Sequence, residues 1–182
     1  MKKFLIWLTA LLMAVGLGIL VPGPASATTS YCGLQWGSKA KAVETMSAAA
    51  VTNIRTGQHY CFDRMVIDLK GDVAGYNARY VNKVTQDGSG NPVPVRGQAF
   101  LQVTVTAPSY DDNGNATYSP ANQAELSNVN GYQTFRQLAW AGSFEGYTTI
   151  GLGVRARLPY RVFTLDGPGS GSRLIVDVAH FW

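Results

Sequence analysis

Cysteine, histidine and charge are all scarce in this 182-residue chain: two cysteines, two histidines, and only 14% Asp, Glu, Lys and Arg together. With no CxxC and no HExxH present, the available side chains fall short of the ligand set that a structural or catalytic metal needs. A GxSxG motif is missing too, as is any clustered acidic pair or triad, so the usual machinery of nucleophilic or acid–base hydrolysis has no visible site. No catalytic residue, metal ligand or cofactor is assigned. Sustained helical periodicity is also absent. Lys39 to Ala50 is the one stretch able to form a helical turn, and its apolar positions are small and weakly periodic, so it reads as loop with at most one short helix.

What is present is apolar. Hydrophobic residues make up 46% of the chain, enough for a core and too many for a disordered segment. The net charge of +4 falls to +2 without Lys2 and Lys3, which leaves no basis for a nucleic-acid partner. Those two lysines precede the apolar run Phe4 to Val21, then Pro22 and Ala25-Ser26-Ala27. A basic start, an apolar middle and a small-x-small end predict a secretory signal peptide over residues 1–27 and a mature domain over 28–182. Left uncleaved, the same run would anchor the chain in a membrane. In an exported chain Cys32 and Cys61 sit where disulfides persist, and their pairing is predicted. Closing a loop of about thirty residues contributes roughly 3–4 kcal/mol.

From Val51 onward the pattern has period two. Met65, Ile67 and Leu69 are expected inward in one strand, Leu101, Val103 and Val105 in another, Thr148, Ile150, Leu152 and Val154 in a third. Leu174, Val176 and Val178 line the core face of the last, with Arg173, Ile175 and Asp177 opposite. Tyr76 to Val84 alternates as well but leaves its core face open. Asp87 to Pro92 reads as a hairpin loop, whereas Ser109 to Gly131 is the longest stretch without a strand signal, a length typical of functional or mobile loops. Repeated short strands with turns between them predict an all-β fold, a β-sandwich forming a single domain.

Two strands share a signature. Arg64-Met-Val-Ile-Asp-Leu69 matches Arg173-Leu-Ile-Val-Asp-Val178 position for position. Arg64 and Asp68 lie on one face about 13 Å apart at strand rise, too far to pair with each other. Cross-strand ion pairs between the two similar strands are the expected use.

Several motifs have plainer readings than their patterns invite. Gly151-Leu-Gly-Val-Arg-Ala156 fits the loose dinucleotide fingerprint, but alternation runs straight through it, and missing side chains there point to bending or close packing. Asp111-Asp-Asn-Gly-Asn115 begins like a calcium loop, yet Ala116 and Asn122 stand where Gly and Glu are required, leaving a hydrophilic turn. His59 and His180 are read as structural hydrogen-bonding groups.

The richest candidate for binding is Tyr132 to Tyr147, where Arg136, Trp140, Phe144, Glu145 and Tyr147 are expected around one turn at Ala141 to Gly146. Aromatic faces beside Arg and a carboxylate can hold sugars or peptide stems. Trp36 is a further candidate of the same kind. Core packing is the alternative use of all these rings.

Phe163-Thr-Leu-Asp-Gly-Pro168 followed by Arg173 to Val178 is similar to the C-terminal motif of AMIN domains, and Arg64 to Leu69 resembles that family's earlier strand. The chain more closely resembles secreted actinobacterial proteins carrying an AMIN-like domain, in Cys32 to Ser38, Cys61 to Arg64, Phe135 to Gly146 and Thr148 to Pro159. The resemblance implies a β-sandwich in the cell envelope, since AMIN domains target periplasmic amidases and secretin subunits by holding peptidoglycan and are not catalytic. It supplies no catalytic motif to carry over. The functional expectation is a secreted, non-catalytic envelope module that binds a cell-wall glycan or an envelope protein. A wall-active hydrolase with an unrecognised site, a purely structural protein-interaction domain and a small-ligand carrier are the alternatives.

Overall fold

The period-two pattern governs nearly the whole chain. The computed structural model describes residues 30–46, 48–72 and 75–182; the segment read as a signal peptide lies outside them. The strands are β1 (Ser30–Tyr31), β2 (Leu34–Gln35), β3 (Lys41–Val43), β4 (Ala50–Gln58), β5 (Phe62–Lys70), β6 (Tyr76–Val81), β7 (Val84–Thr85), β8 (Pro92–Val93), β9 (Ala99–Val105), β10 (Phe135–Phe144), β11 (Tyr147–Val154), β12 (Tyr160–Asp166) and β13 (Gly171–Ala179). Five form one antiparallel sheet in the order β10-β11-β9-β6-β3 and four form another, β12-β13-β5-β4. No helix occurs among the described residues; Lys39 to Ala50 instead supplies the short edge strand β3, paired to β6.

The inward residues expected for β5, β9, β11 and β13 are all buried, and all but Thr148 belong to the apolar core between the sheets. The undecided strand β6 turns Tyr76, Ala78 and Tyr80 inward, which leaves Asn77 and Arg79 on the outer face. The Cys32–Cys61 disulfide forms, beside a second apolar cluster of Trp36, Phe62 and Ala179. Residues 30–182 therefore hold both sheets, both apolar clusters and the staple in a single domain.

The sandwich has two distinct ends. At the disulfide end Phe62 pairs with Ala179, Tyr160 with Val178 and Phe135 with Val154. At the opposite end Lys70 pairs with Gly171, Tyr76 with Val105 and Phe144 with Tyr147.

Strand β10 departs from the sequence reading in two ways. A register shift between Phe135 and Gln137 lets Phe135 and Leu138 both enter the core and leaves Arg136 exposed, the local effect of a bulge. A second shift between Trp140 and Ser143, with Gly142 at φ 107°, carries the strand through the residues expected to turn. The turn itself is only Glu145-Gly146.

The long segment 109–131 is a strap across open sheet edges. Leu126 N–H donates to the Leu138 carbonyl and Trp140 N–H to that of Gln123, while Thr117 Oγ1 donates to the Val51 carbonyl and Thr56 shares a 2.7 Å hydrogen bond with Ser127. Both β10 and β4 are edge strands, and their unpaired backbone groups would otherwise recruit foreign strands.

Candidate functional site

Glycines on β11 decide where the outer face of the five-stranded sheet is open. A Cβ on Gly153 would lie 1.8 Å from the Arg96 carbonyl oxygen, and one on Gly151 would lie 2.9 Å from the Val84 methyls. Those missing side chains seat the segment 84–97, including the β7–β8 hairpin, flat on one half of the sheet. This is the close packing that a glycine-spaced strand permits. Over the other half the polar row Asn77, Arg79, Gln102 and Thr104 lines two adjoining clefts of about 380 and 360 Å³.

Tyr147 stands between the clefts and lines both; Asn77 and Thr104 are shared floor. Its position comes from the turn. Glu145 at φ 48° and Gly146 at φ 85° give the two left-handed central residues of a tight β-hairpin, and Phe144 and Tyr147 become a cross-strand pair. Phe144 is 47% exposed and Tyr147 38%. The Phe144 ring lies against Gly88, where an added Cβ would approach within 3.0 Å, so the hairpin tip fixes one edge of the ring. Asp87 is held by a hydrogen bond from Thr149, Arg79 by Asn77 at 2.6 Å. The result is a polar floor with positive and negative groups and two partly exposed rings at its rim, a geometry suited to the alternating apolar and hydroxyl faces of a sugar.

Three of the six predicted ligand residues meet here: Phe144, Glu145 and Tyr147. Arg136 does not, since it lies eight residues back along β10, about 26 Å at strand rise, and its guanidinium caps the carbonyls of Tyr132, Gln133 and Phe135. Trp140 is half-buried beneath the strap with its ring 5.5 Å from Tyr118; it borders a different cleft, beside Pro92 to Arg96. Trp36 is 4% exposed, packed against Phe62 with the Arg161 guanidinium over its ring, and has no open face for stacking. The residues that sequence reasoning missed, Asn77, Arg79, Gln102 and Thr104, sit on alternate positions of β6 and β9. That alternation was the available signal, and the open choice of face on β6 obscured it.

The histidines have separate fates. His59 is exposed and stacks on Phe62 at 4.5 Å. His180 is buried at the disulfide end, with Nε2 3.1 Å from Asp63 Oδ1. The other carboxylate oxygen of Asp63 accepts from the backbone N–H groups of Thr134 and Phe135. This pair ties the start of β10 to the four-stranded sheet. Among the described residues no group of three or more His, Cys, Asp or Glu side chains converges to hold a metal.

The AMIN-like domain model matches residues 49–180, which takes in the four-stranded sheet, the five-stranded sheet apart from β3, and every residue lining the groove except Ala42 to Met46. No curated protein and no solved structure is significantly similar to the chain.

Proposed function

The chain belongs to the AMIN-like domain family, a cell-envelope-related group, and from that premise we propose that it is an exported, non-catalytic module that binds the glycan of the cell wall. The observation that carries the reading is the groove under Tyr147. It is the part of the outer sheet face that the segment 84–97 leaves uncovered, and it pairs exposed rings with Arg79, Glu145 and a row of neutral hydrogen-bonding side chains. A glycan chain offers CH faces to rings and hydroxyls to such a floor. The long strap does not supply the site: it is committed to covering β4 and β10.

Titration of the chain from Thr28 onward with soluble wall glycan fragments tests the assignment. Backbone amide shifts in the NMR spectrum are expected at Asn77, Thr104 and Tyr147. Shifts confined to the strap or to the cleft beside Pro92 to Arg96, or no shifts at all, would oppose it.

A further inference from the structure

The end of the molecule farthest from the groove carries its own exposed surface. Tyr60 is 94% exposed, Phe181 55% and Trp182 60%. They belong to one patch: Tyr31 meets Phe181 edge-on at 6.0 Å, His180 N–H donates to the Cys61 carbonyl, and the disulfide joins Cys61 to Cys32 next to Tyr31. Contiguous exposed rings mark an interaction site rather than ordinary surface.

The carboxylates of the molecule are concentrated at the groove end. Glu44, Asp72, Asp87, Asp111, Asp112, Glu145 and Asp166, seven of the eleven carboxylates in the sequence, all lie at the groove end, Asp166 as the last residue of β12 and the others in loops and turns. Arg136, Arg155 and Arg157 are exposed or half-exposed toward the disulfide end. Arg155 lies over the face of Phe181 at 5.6 Å. Two carboxylates toward that end are fully buried and occupied, Asp63 by His180 and two backbone amides and Asp177 by Arg64 and Arg161. Tyr and Trp with arginine form the combination that settles at the headgroup level of a bilayer, rings in the acyl boundary and cations among phosphates. The apolar run Phe4 to Val21 also joins the domain at this end, through residues 22–29 into β1. Eight extended residues span at most about 27 Å, so any bilayer holding that run lies within reach of the patch.

From the rings, the distribution of carboxylates and the point of chain entry, we infer that the disulfide end docks on an anionic lipid bilayer, leaving the groove end turned away from it. The proposal is independent of what the groove binds. It is tested by flotation of the chain from Thr28 onward, without the apolar run, on vesicles of equal parts phosphatidylglycerol and phosphatidylcholine against vesicles of phosphatidylcholine alone. About tenfold or more enrichment on the anionic vesicles is expected, declining as salt is raised, because arginines near an anionic surface are attracted to it over a distance that salt shortens. The double variant Tyr60→Ser, Trp182→Ser should lose most of that enrichment while keeping its melting temperature, since neither ring is buried; Phe144→Ser at the other end should float as the unaltered chain does. Failure of the unaltered chain to float, or undiminished flotation of the double variant, overturns the proposal. Self-association through the patch, seen by sedimentation and abolished in the double variant without any vesicle binding, would overturn it in favour of a second copy.

Discussion

Arg64 and Asp177 stand opposite each other on β5 and β13, and the guanidinium grips the carboxylate with both arms, Nε to Oδ1 at 2.6 Å and Nη2 to Oδ2 at 2.9 Å. Arg161 adds a third donor at 2.7 Å. The Asp177 side chain is fully buried while the two arginines keep 22% and 26% of theirs exposed. Antiparallel pairing of two Arg-x-x-x-Asp strands places Arg64 across from Asp177 and Asp68 across from Arg173, yet only the first contact becomes an ion pair. Asp68 turns to Arg55 on β4 instead.

That asymmetry sets the first prediction. Asp177→Asn leaves two facing guanidiniums without their shared carboxylate and should lower stability by about 2–3 kcal/mol in denaturant unfolding. Asp68→Asn loses a pair whose arginine is 51% exposed and should cost under about 1 kcal/mol. Equal losses would mean that the outer face does not distinguish the two pairs.

Gly153→Ala is expected to dislodge the segment that shapes the groove. The new methyl would fall on the Arg96 carbonyl and 2.8 Å from a Val95 methyl, backbone and branched side chain alike, so relief requires the segment to move. A loss of about 1–3 kcal/mol follows from such overpacking. Hydrogen exchange should show the change as faster opening of Val93 to Gln98 with β9 still protected.

Alkali should weaken the protein through Tyr160. Its hydroxyl donates to the carbonyls of Ala78 and Lys39, and burial pushes its pKa up to about 12 from an ordinary 10.0. Burial raises that of Tyr80 as well, against the hydrogen bond its oxygen accepts from the Leu158 N–H. The folded state holds these protons more tightly than the unfolded chain. Their contribution is therefore complete below pH 10.0 and declines as pH rises from there through 12. Tyr160→Phe should be less stable at neutral pH by about 1–2 kcal/mol, with a shallower decline of stability between those two pH values than the unaltered chain.

Several of these relationships were legible in the sequence for a simple reason: side-chain alternation in a strand leaves only two choices of face, and Leu174, Val176 and Val178 settle one while Arg173 and Asp177 settle the other. The recurrence of the same signature at Arg64 to Leu69 points to cross-strand pairing. Bulges are invisible to that logic. Arg136, Trp140 and Phe144 share a parity in the sequence, but two register shifts in β10 send one to solvent, one under the strap and one to the groove. Turn length misled in the same region, because Ala141-Gly142-Ser143 has turn chemistry and is nonetheless held in the strand by β11. The groove floor comes from β6 and β9, strands separated from the Phe144 to Tyr147 turn by up to seventy positions, and only the strand order of the sheet joins them.

Co-sedimentation with purified cell-wall sacculi, comparing the chain from Thr28 onward with its Tyr147→Ala and Phe144→Ala variants, tests the central claim most directly. Both rings are exposed enough that their loss should cost under about 1 kcal/mol of stability, so retention can be read without unfolding. The unaltered chain should be retained, Tyr147→Ala should lose most of its retention at a nearly unchanged melting temperature, and Trp36→Phe, altered only in the buried cluster, should be retained in full once folded. Retention of Tyr147→Ala at the level of the unaltered chain, or failure of the unaltered chain to sediment with sacculi, would contradict that claim.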